Sequence, residues 1–352
     1  MGQRPNDNFK GVATLFGSGV SDYRKALWWA TGTTLCGSVA AVFFTAHLVE
    51  TFSGKLFVDA GTLATSGFAL AFAAGCAATV LLATRIGAPI STTHAMAGSL
   101  LGAAFAAPDS IIDWARAGKS IFLPLAVGPV LAVAGALLLY PLLTHLRAAL
   151  GIGRETCVCI GEEWVPQNQV AAIAGVRVSV DTAQACQDRY QGQVFGVSAQ
   201  RMLDGLHYLS AGLVSFARGV NDTPKIVALT LMAAPFLKPV SFGLVGIAIA
   251  VGGLLGARRV AQTMSQKITA MNPGQGLTAN LITSGLVLSA SPLGLPLSTT
   301  HVSCGALFGI GAVTGQARWR TIAGILLAWL VTLPLGATLG AIFLKTALWL
   351  GH

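Results

Sequence analysis

The chain has 352 residues, 54% of them hydrophobic and only 10% charged, with 42 glycines and a mean hydropathy of +0.69. These values exclude an ordinary soluble domain, in which about a quarter of residues carry charge. The formal charge of +9 would suit nucleic acid, but the basic residues stand singly or in pairs beside apolar runs, as in Arg24-Lys25, Arg258-Arg259 and Arg318/Arg320. That is a membrane-topology pattern, so the bilayer is the expected partner and nucleic acid is not.

In chain order, the sequence opens on "RPNDNFKGVATL", polar residues at the edge of an apolar chain. No apolar core of a cleavable signal peptide is visible there. Apolar runs at Ala26 to Val49 and Thr62 to Thr84 follow, with "FSGKL" between them, and then "GAPISTTHAMAGSLLGAAF" and a run from Ile121 to Leu146. The stretch Arg147 to Gln200 is different: it carries Glu155, Glu162, Glu163, Asp181 and Asp188, β-prone pieces such as "VRVSV" and no span-length apolar run, and it reads as a water-exposed connecting loop. Beyond it come Met202 to Phe216, "GVNDTPKIVALTL", a run from Ser241 to Ala257, "MSQKI", "GLPLSTTHVSCGALFGIGA" and a run from Ile322 to Phe343. A hydrocarbon core takes roughly 20 helical residues, and backbone inside lipid must satisfy its own hydrogen bonds, so the long runs are transmembrane helices.

Three of these elements recur in the same order. Asn-Asp-x-x-Lys appears at Asn6-Asp7…Lys10 and Asn221-Asp222…Lys225, "FSGKL" has a fainter echo in "MSQKI", and Pro-x-Ser-Thr-Thr-His appears twice. The chain is therefore a duplication: a first transmembrane repeat over 1–146, a polar central loop over 147–200 and a second repeat over 201–352. Fifteen residues from Thr92 to Ala106 cover only about 22 Å as a helix, too short for a full span but enough for a half-helix. The fold class is all-α: a polytopic membrane protein, expected as two inverted-topology repeats with broken or half helices. Arg24, Lys25, Arg85, Arg147, Arg258 and Arg259 fit the cytoplasmic side, which puts the central loop there too.

Pro89 and Pro296 cannot continue a preceding helix, and the Ser-Thr-Thr after each is what a helix N-terminus needs. Ser91, Thr92, Thr93 and Ser298, Thr299, Thr300 thus open two helices at membrane depth, where free N–H groups, hydroxyls and the positive dipole end converge on an anion; simple capping is the alternative. His94 and His301 follow and read as supporting donors rather than proton carriers. Asp222 sits between apolar segments, with Pro224 expected to break the helix beside it, and an intramembrane carboxylate is a functional candidate by default. Asp7, Asp222, Lys10 and Lys225 sum to zero charge; a divalent oxyanion would make the sum minus two, and protonating both aspartates would restore it. Proton-coupled anion transport follows, with Na⁺ held by the aspartates as the competing version.

These residues resemble the PiT-type inorganic phosphate transporters, whose duplicated signature pairs an Asn-Asp motif with a Pro-x-Ser-Thr-Thr-His motif. The resemblance covers both halves and omits the central loop. It implies a multi-pass symporter of the bacterial inner membrane that holds inorganic phosphate between its halves. It implies Asp7, Asp222, Ser91, Thr92, Thr93, Ser298, Thr299 and Thr300 as phosphate and coupling-ion residues, with Asn6 and Asn221 beside them. Many members of that family have an asparagine where this chain has Lys10 and Lys225, so an ammonium could take the place of sodium; this favours H⁺ over Na⁺ and leaves sulfate or another oxyanion as an alternative cargo. The first repeat has no counterpart of Leu206 to Ala217 ahead of its Asn6, which predicts an incomplete Asp7 site. A membrane enzyme acting on a phospholipid is disfavoured because every candidate group appears twice, and an anion channel would differ in being unable to concentrate its ion. No cofactor or metal is expected, the Cys157-x-Cys159 pair reading as loop cysteines, and a homo-oligomer is left open.

Overall fold

The structure, a computed structural model, describes residues 8–86, 90–153, 155–167, 170–182, 184–186, 194–238, 240–254 and 262–351. Asn6, Asp7, Pro89, Arg258 and Arg259 lie outside the described residues. A 3₁₀ turn, Asn8–Val12, leads into α1 (Ala13–Gly17). Next is α2 (Tyr23–Phe44), whose start is fixed by the Asp22 carboxylate accepting the Lys25 amide at 2.9 Å. Short helices α3 (Ala46–Phe52) and α4 (Ala60–Leu63) follow, then α5 (Phe68–Ile86) and α6 (Thr92–Ala106). A turn of helix, α7 (Trp114–Ala117), continues through a π-helical turn into α8 (Leu123–Ala149).

The expected runs are therefore subdivided. Thr45 separates α2 from α3, and the span read at Thr62 to Thr84 is interrupted by a turn with Gly67 at φ +74°, a conformation only glycine adopts freely. The loop before α4 is tied down by Asp59, which accepts the amides of Thr62 at 2.9 Å and Ile111 at 3.1 Å as well as the Thr62 hydroxyl; these bonds hold its carboxyl down at about 2.

The central segment is not a loop. It forms an antiparallel sheet of β1 (Thr156–Gln167), β2 (Val170–Thr182) and β3 (Val194–Ser198) in the order β2-β1-β3, and Cys159 is disulfide-bonded to Cys186. The β-prone composition was visible in the sequence, but the reading of loop cysteines is corrected: the pair lies 27 positions apart in the chain, and the β1–β2 hairpin brings them together. Counting thiols with a mass-tagging maleimide in denatured protein should give four adducts without reductant, at Cys36, Cys76, Cys157 and Cys304, and six after reduction. Six adducts in both conditions would exclude the bond.

Then comes α9 (Ala199–Ala233), followed by α10 (Ser241–Leu254), α11 (Pro273–Ala290), α12 (Thr299–Val313) and α13 (Trp319–Trp349). The expectation that Pro224 breaks the chain beside Asp222 is corrected: α9 runs unbroken through it. A proline interior to a helix removes one N–H bond, and packing against neighbouring helices makes that loss tolerable. A capping box, with Asn272 and Gln275 each accepting the other's backbone amide and Pro273 at the first helical position, starts α11.

Among the described residues, three stretches are long and apolar enough to cross a membrane: α2, Trp114–Ala149 and α13. Their outward side chains are large and apolar, Leu138 and Leu330 each being 74% exposed, as a lipid solvent allows and water does not. Helix α9 is less apolar overall but runs alongside α2 in the same direction, Trp29 Nε1 donating to the Tyr208 carbonyl at 3.0 Å and Thr223 Oγ1 to Ser38 Oγ at 2.8 Å.

Helices α5 and α6 form one hairpin, and α11 and α12 another. Helix α12 lies parallel to α8, with Gly305 and Gly309 against Pro129 and Val133, so its C-terminus reaches the end where the sheet joins α8 and α9. Helix α13 starts at that end, the Arg318 amide bonding Ile268 O at 3.0 Å, and α6 lies parallel to it, with Gly98 and Gly102 against the carbonyls of Leu333 and Ala337. The two hairpins therefore enter from opposite ends of the helix stack and meet tip to tip. This is the inverted arrangement, reached by two half-helices rather than by Thr92–Ala106 crossing alone. Each hairpin packs on the long helix of the other repeat, α6 on α13 and α12 on α8.

Candidate anion site at the hairpin tips

Both Ser-Thr-Thr-His motifs start helices. Ser91 Oγ accepts the His94 amide at 3.1 Å and Ser298 Oγ accepts the His301 amide at 3.2 Å. The serine hydroxyls are thus used as caps, as the simpler reading held. By helix geometry the amides of Thr92, Thr93, Thr299 and Thr300 have no acceptor within their own helices and remain at the tips. His94 Nδ1 and His301 Nε2 lie 3.2 Å apart between the tips, and His301 stacks on Trp329 at 3.7 Å between ring centroids.

The two described halves of the Asn-Asp-x-x-Lys motifs are placed symmetrically. Lys10 Nζ donates to the Ile90 carbonyl at 3.0 Å, and Lys225 Nζ donates to the Leu297 carbonyl at 3.0 Å. Each lysine thus binds the residue just before the capping serine of its own repeat's hairpin. Lys225 is fully buried, also donates to Thr93 Oγ1 at 2.9 Å and to Asp222 Oδ1 at 3.2 Å, and sits 5.8 Å over the Phe52 ring. Asn221 Nδ2 bridges Leu297 O at 2.9 Å and Asp222 Oδ1 at 3.1 Å. The structure brings together Thr93, Asn221, Asp222, Lys225 and the α12 tip, with Lys10 at the α6 tip; Asn6 and Asp7 lie outside the described residues.

Sequence reasoning missed Arg218. It is 5% exposed, and its Nε lies 3.3 Å from Asp222 Oδ2, so the aspartate is held between two cations. The spacing was readable: positions i, i+4 and i+7 put Arg218, Asp222 and Lys225 on one face of α9. These three and Thr92 line a cavity of about 450 Å³ whose other walls are apolar, mostly from α5 and α10, such as Val80 and Ile249, with Met96 and Ile226. Also missed was a polar column on the sheet side of the site, in which Thr14 donates to Asn280, Asn280 to Ser210 and, nearer the tips, Ser291 to Asn221 at 3.5 Å. An asparagine inside an apolar helix was the available signal.

A duplicated pair of helix starts, backed by buried lysines, thus meets tip to tip from opposite ends of the helix stack. The sequence profile of the Phosphate transporter family matches residues 5–340. The chain belongs to that family. It is 28% identical over 348 residues to a "probable low-affinity inorganic phosphate transporter" of Rhizobium meliloti (strain 1021), covering 96% of this chain and 90% of the relative. It is 36% identical over 155 residues to "Inorganic phosphate transporter 2-1, chloroplastic" of Arabidopsis thaliana, covering 39% and 26%. Its fold is similar to a solved structure described as "The sodium-dependent phosphate transporter", with a TM-score of 0.74 and 22% identity over 98% of this chain and 94% of that one. As a member of the Phosphate transporter family it is a multi-pass membrane transporter and not an enzyme.

Proposed function

We propose that this family member carries inorganic phosphate across the bacterial inner membrane as a proton-coupled symporter, with the anion bound between the Ser-Thr-Thr tips and the Asn-Asp motifs. Family membership and the names of its relatives support phosphate as the cargo. The amides of Thr92, Thr93, Thr299 and Thr300, each at a positive helix end, supply donors for several oxyanion oxygens.

One observation carries the choice of proton over sodium: both lysine ammonium groups bind the hairpin-tip carbonyls, at Ile90 and Leu297. In transporters with broken helices, unwound backbone carbonyls are where Na⁺ is coordinated. Around Lys225 the ligands are a carbonyl, a hydroxyl and a carboxylate, the oxygen set a hard cation takes, and here they surround a covalently attached cation.

The test is labelled phosphate uptake into proteoliposomes under an imposed pH gradient, with and without Na⁺ and with sulfate as competitor. Accumulation that needs the proton gradient and ignores Na⁺ is the expected result. Dependence on Na⁺ would overturn the coupling ion while leaving the cargo, stronger competition by sulfate than by unlabelled phosphate would overturn the cargo, and equilibration without accumulation would make the protein a channel.

A further inference from the structure

We propose that the seam between α9 and α11 is the path between the anion site and the sheet end of the protein, and that His207 is the gate residue at its outer end; the identity of the anion rests on the phosphate reading above. His207 is 0% exposed, and among the described residues neither of its ring nitrogens has a hydrogen-bond partner. Buried polar groups are nearly always paired, and one left unpaired destabilises the conformation that holds it. The imidazole lies against Gly276 on α11, where a Cβ would run into its Nε2 and Cε1 atoms. It stands five helical turns, about 27 Å, ahead of Lys225 on α9, so the two lie on one face of that helix.

Helix α11 runs beside this face in the same direction. Ser291 reaches Asn221 at the site, Asn280 Nδ2 donates to Ser210 Oγ at 3.1 Å toward the sheet, and Gly276 meets His207 one turn further out. Gly276, Asn280, Ser284, Val287 and Ser291 recur at helical spacing, so a single face of α11 follows the seam along its length. Asn280, Ser284 and Ser291 on that face are polar side chains buried at membrane depth, where a wall used only for packing would be apolar. The seam is closed in this structure, Val214 on α9 and Val287 on α11 being 3% and 0% exposed.

The other side of α9 is held differently. Gly37 and Gly219 bring the backbones of α2 and α9 together, and Trp29 packs on Gly212. Across the α9–α11 seam Gly276 meets a side chain instead, and Asn280 and Ser291 each make a hydrogen bond through a small side chain, so this seam separates more readily. Opening it lets water pair both imidazole nitrogens. The unpaired ring therefore favours opening and keeps the closed gate from becoming a trap.

The test reads phosphate uptake in proteoliposomes, phosphate binding and thermal unfolding in detergent, and alkylation of a Ser284→Cys reporter by a small maleimide, quantified at that residue by peptide mass spectrometry. Ser284 is buried between the site and the gate, so its alkylation reports opening of the seam. His207→Leu removes the unpaired nitrogens: uptake and alkylation should each slow about tenfold, phosphate affinity should stay within about twofold of wild type, and the unfolding temperature should rise. His207→Gln keeps a polar group and should retain at least about half of the wild-type uptake. Gly276→Ala crowds the ring in the closed state and should speed alkylation about threefold.

Unchanged uptake and alkylation in His207→Leu, a His207→Gln protein as slow as His207→Leu, or slower alkylation in Gly276→Ala would overturn the gate. Loss of uptake in His207→Leu with a lower unfolding temperature would also overturn it, leaving His207 a packing residue. If His207→Leu does not fold, uptake by His207→Gln and alkylation in Gly276→Ala decide. A wild-type protein that binds no phosphate would overturn the cargo, and the alkylation rates would still judge the gate.

Discussion

Replacing Lys225 with methionine is expected to abolish phosphate uptake and to destabilise the protein by about 3–5 kcal/mol, the usual cost of removing one partner from a buried ion pair. The side chain is 1% exposed and joins three elements: Asp222 on its own helix, Thr93 at the α6 tip and the Leu297 carbonyl at the α12 tip. Methionine fills a similar volume but leaves Thr93 Oγ1 without this donor and Asp222 with Arg218 and Asn221 as its partners among the described residues. Both hairpin tips then lose a common anchor. Thermal unfolding in detergent, read beside uptake, checks the two effects. A variant as active and as stable as wild type would show that the ammonium is not part of the machinery. Lys225→Asn separates charge from structure: it vacates the cation position while keeping a polar side chain, and on the lysine-for-sodium argument its uptake should be stimulated by Na⁺.

The second large effect concerns packing. Gly102→Leu should prevent recovery of folded protein, and Gly340→Leu should do the same from the other side of the contact. At Gly102 a Cβ would run into the backbone of Ala337, and at Gly340 into the backbone and hydroxyl of Ser99. Small residues at such crossings let two backbones approach closely in lipid, where burial of apolar surface gives no net drive and close packing does most of the work. Overpacking of an ordinary core costs about 1–3 kcal/mol, and here the obstacle is main chain, which cannot rotate away. Size-exclusion chromatography of the expressed variants reads the outcome. Gly324→Leu, with open space around its Cβ position, is the matched control and should behave as wild type. A monodisperse Gly102→Leu protein would mean that α6 and α13 can separate at little cost.

Much of this was legible in the sequence because duplication converts weak signals into strong ones. The half-helices and their serine caps rest on local rules of capping, and those rules act through neighbours in the chain. What stayed hidden depended on long-range geometry. Arg218 stands outside the repeated motif, and a helix expected to break at Pro224 gave no fixed register from it to Lys225; with α9 unbroken, its spacing becomes decisive. The sheet escaped because β-strands with no span-length apolar run resemble a solvated connection, and the Cys159–Cys186 bond could not be inferred from spacing. Asn280 and Ser210 became meaningful only when α11 was seen against α9.

The exchange of partners between the repeats bears on how such a protein could be divided. Hairpin α5–α6 is seated on α13, and hairpin α11–α12 on α8, through contacts in which glycine backbone meets backbone. Neither half of the sequence therefore contains the groove that receives its own hairpin, and a lone half would present main-chain carbonyls to lipid where its counterpart should lie. The functional module is a hybrid: one repeat's tip mounted on the other repeat's pillar. Two sequence copies thus make a single indivisible machine, and a rigid body that rocks during transport would be cut across the gene duplication rather than along it.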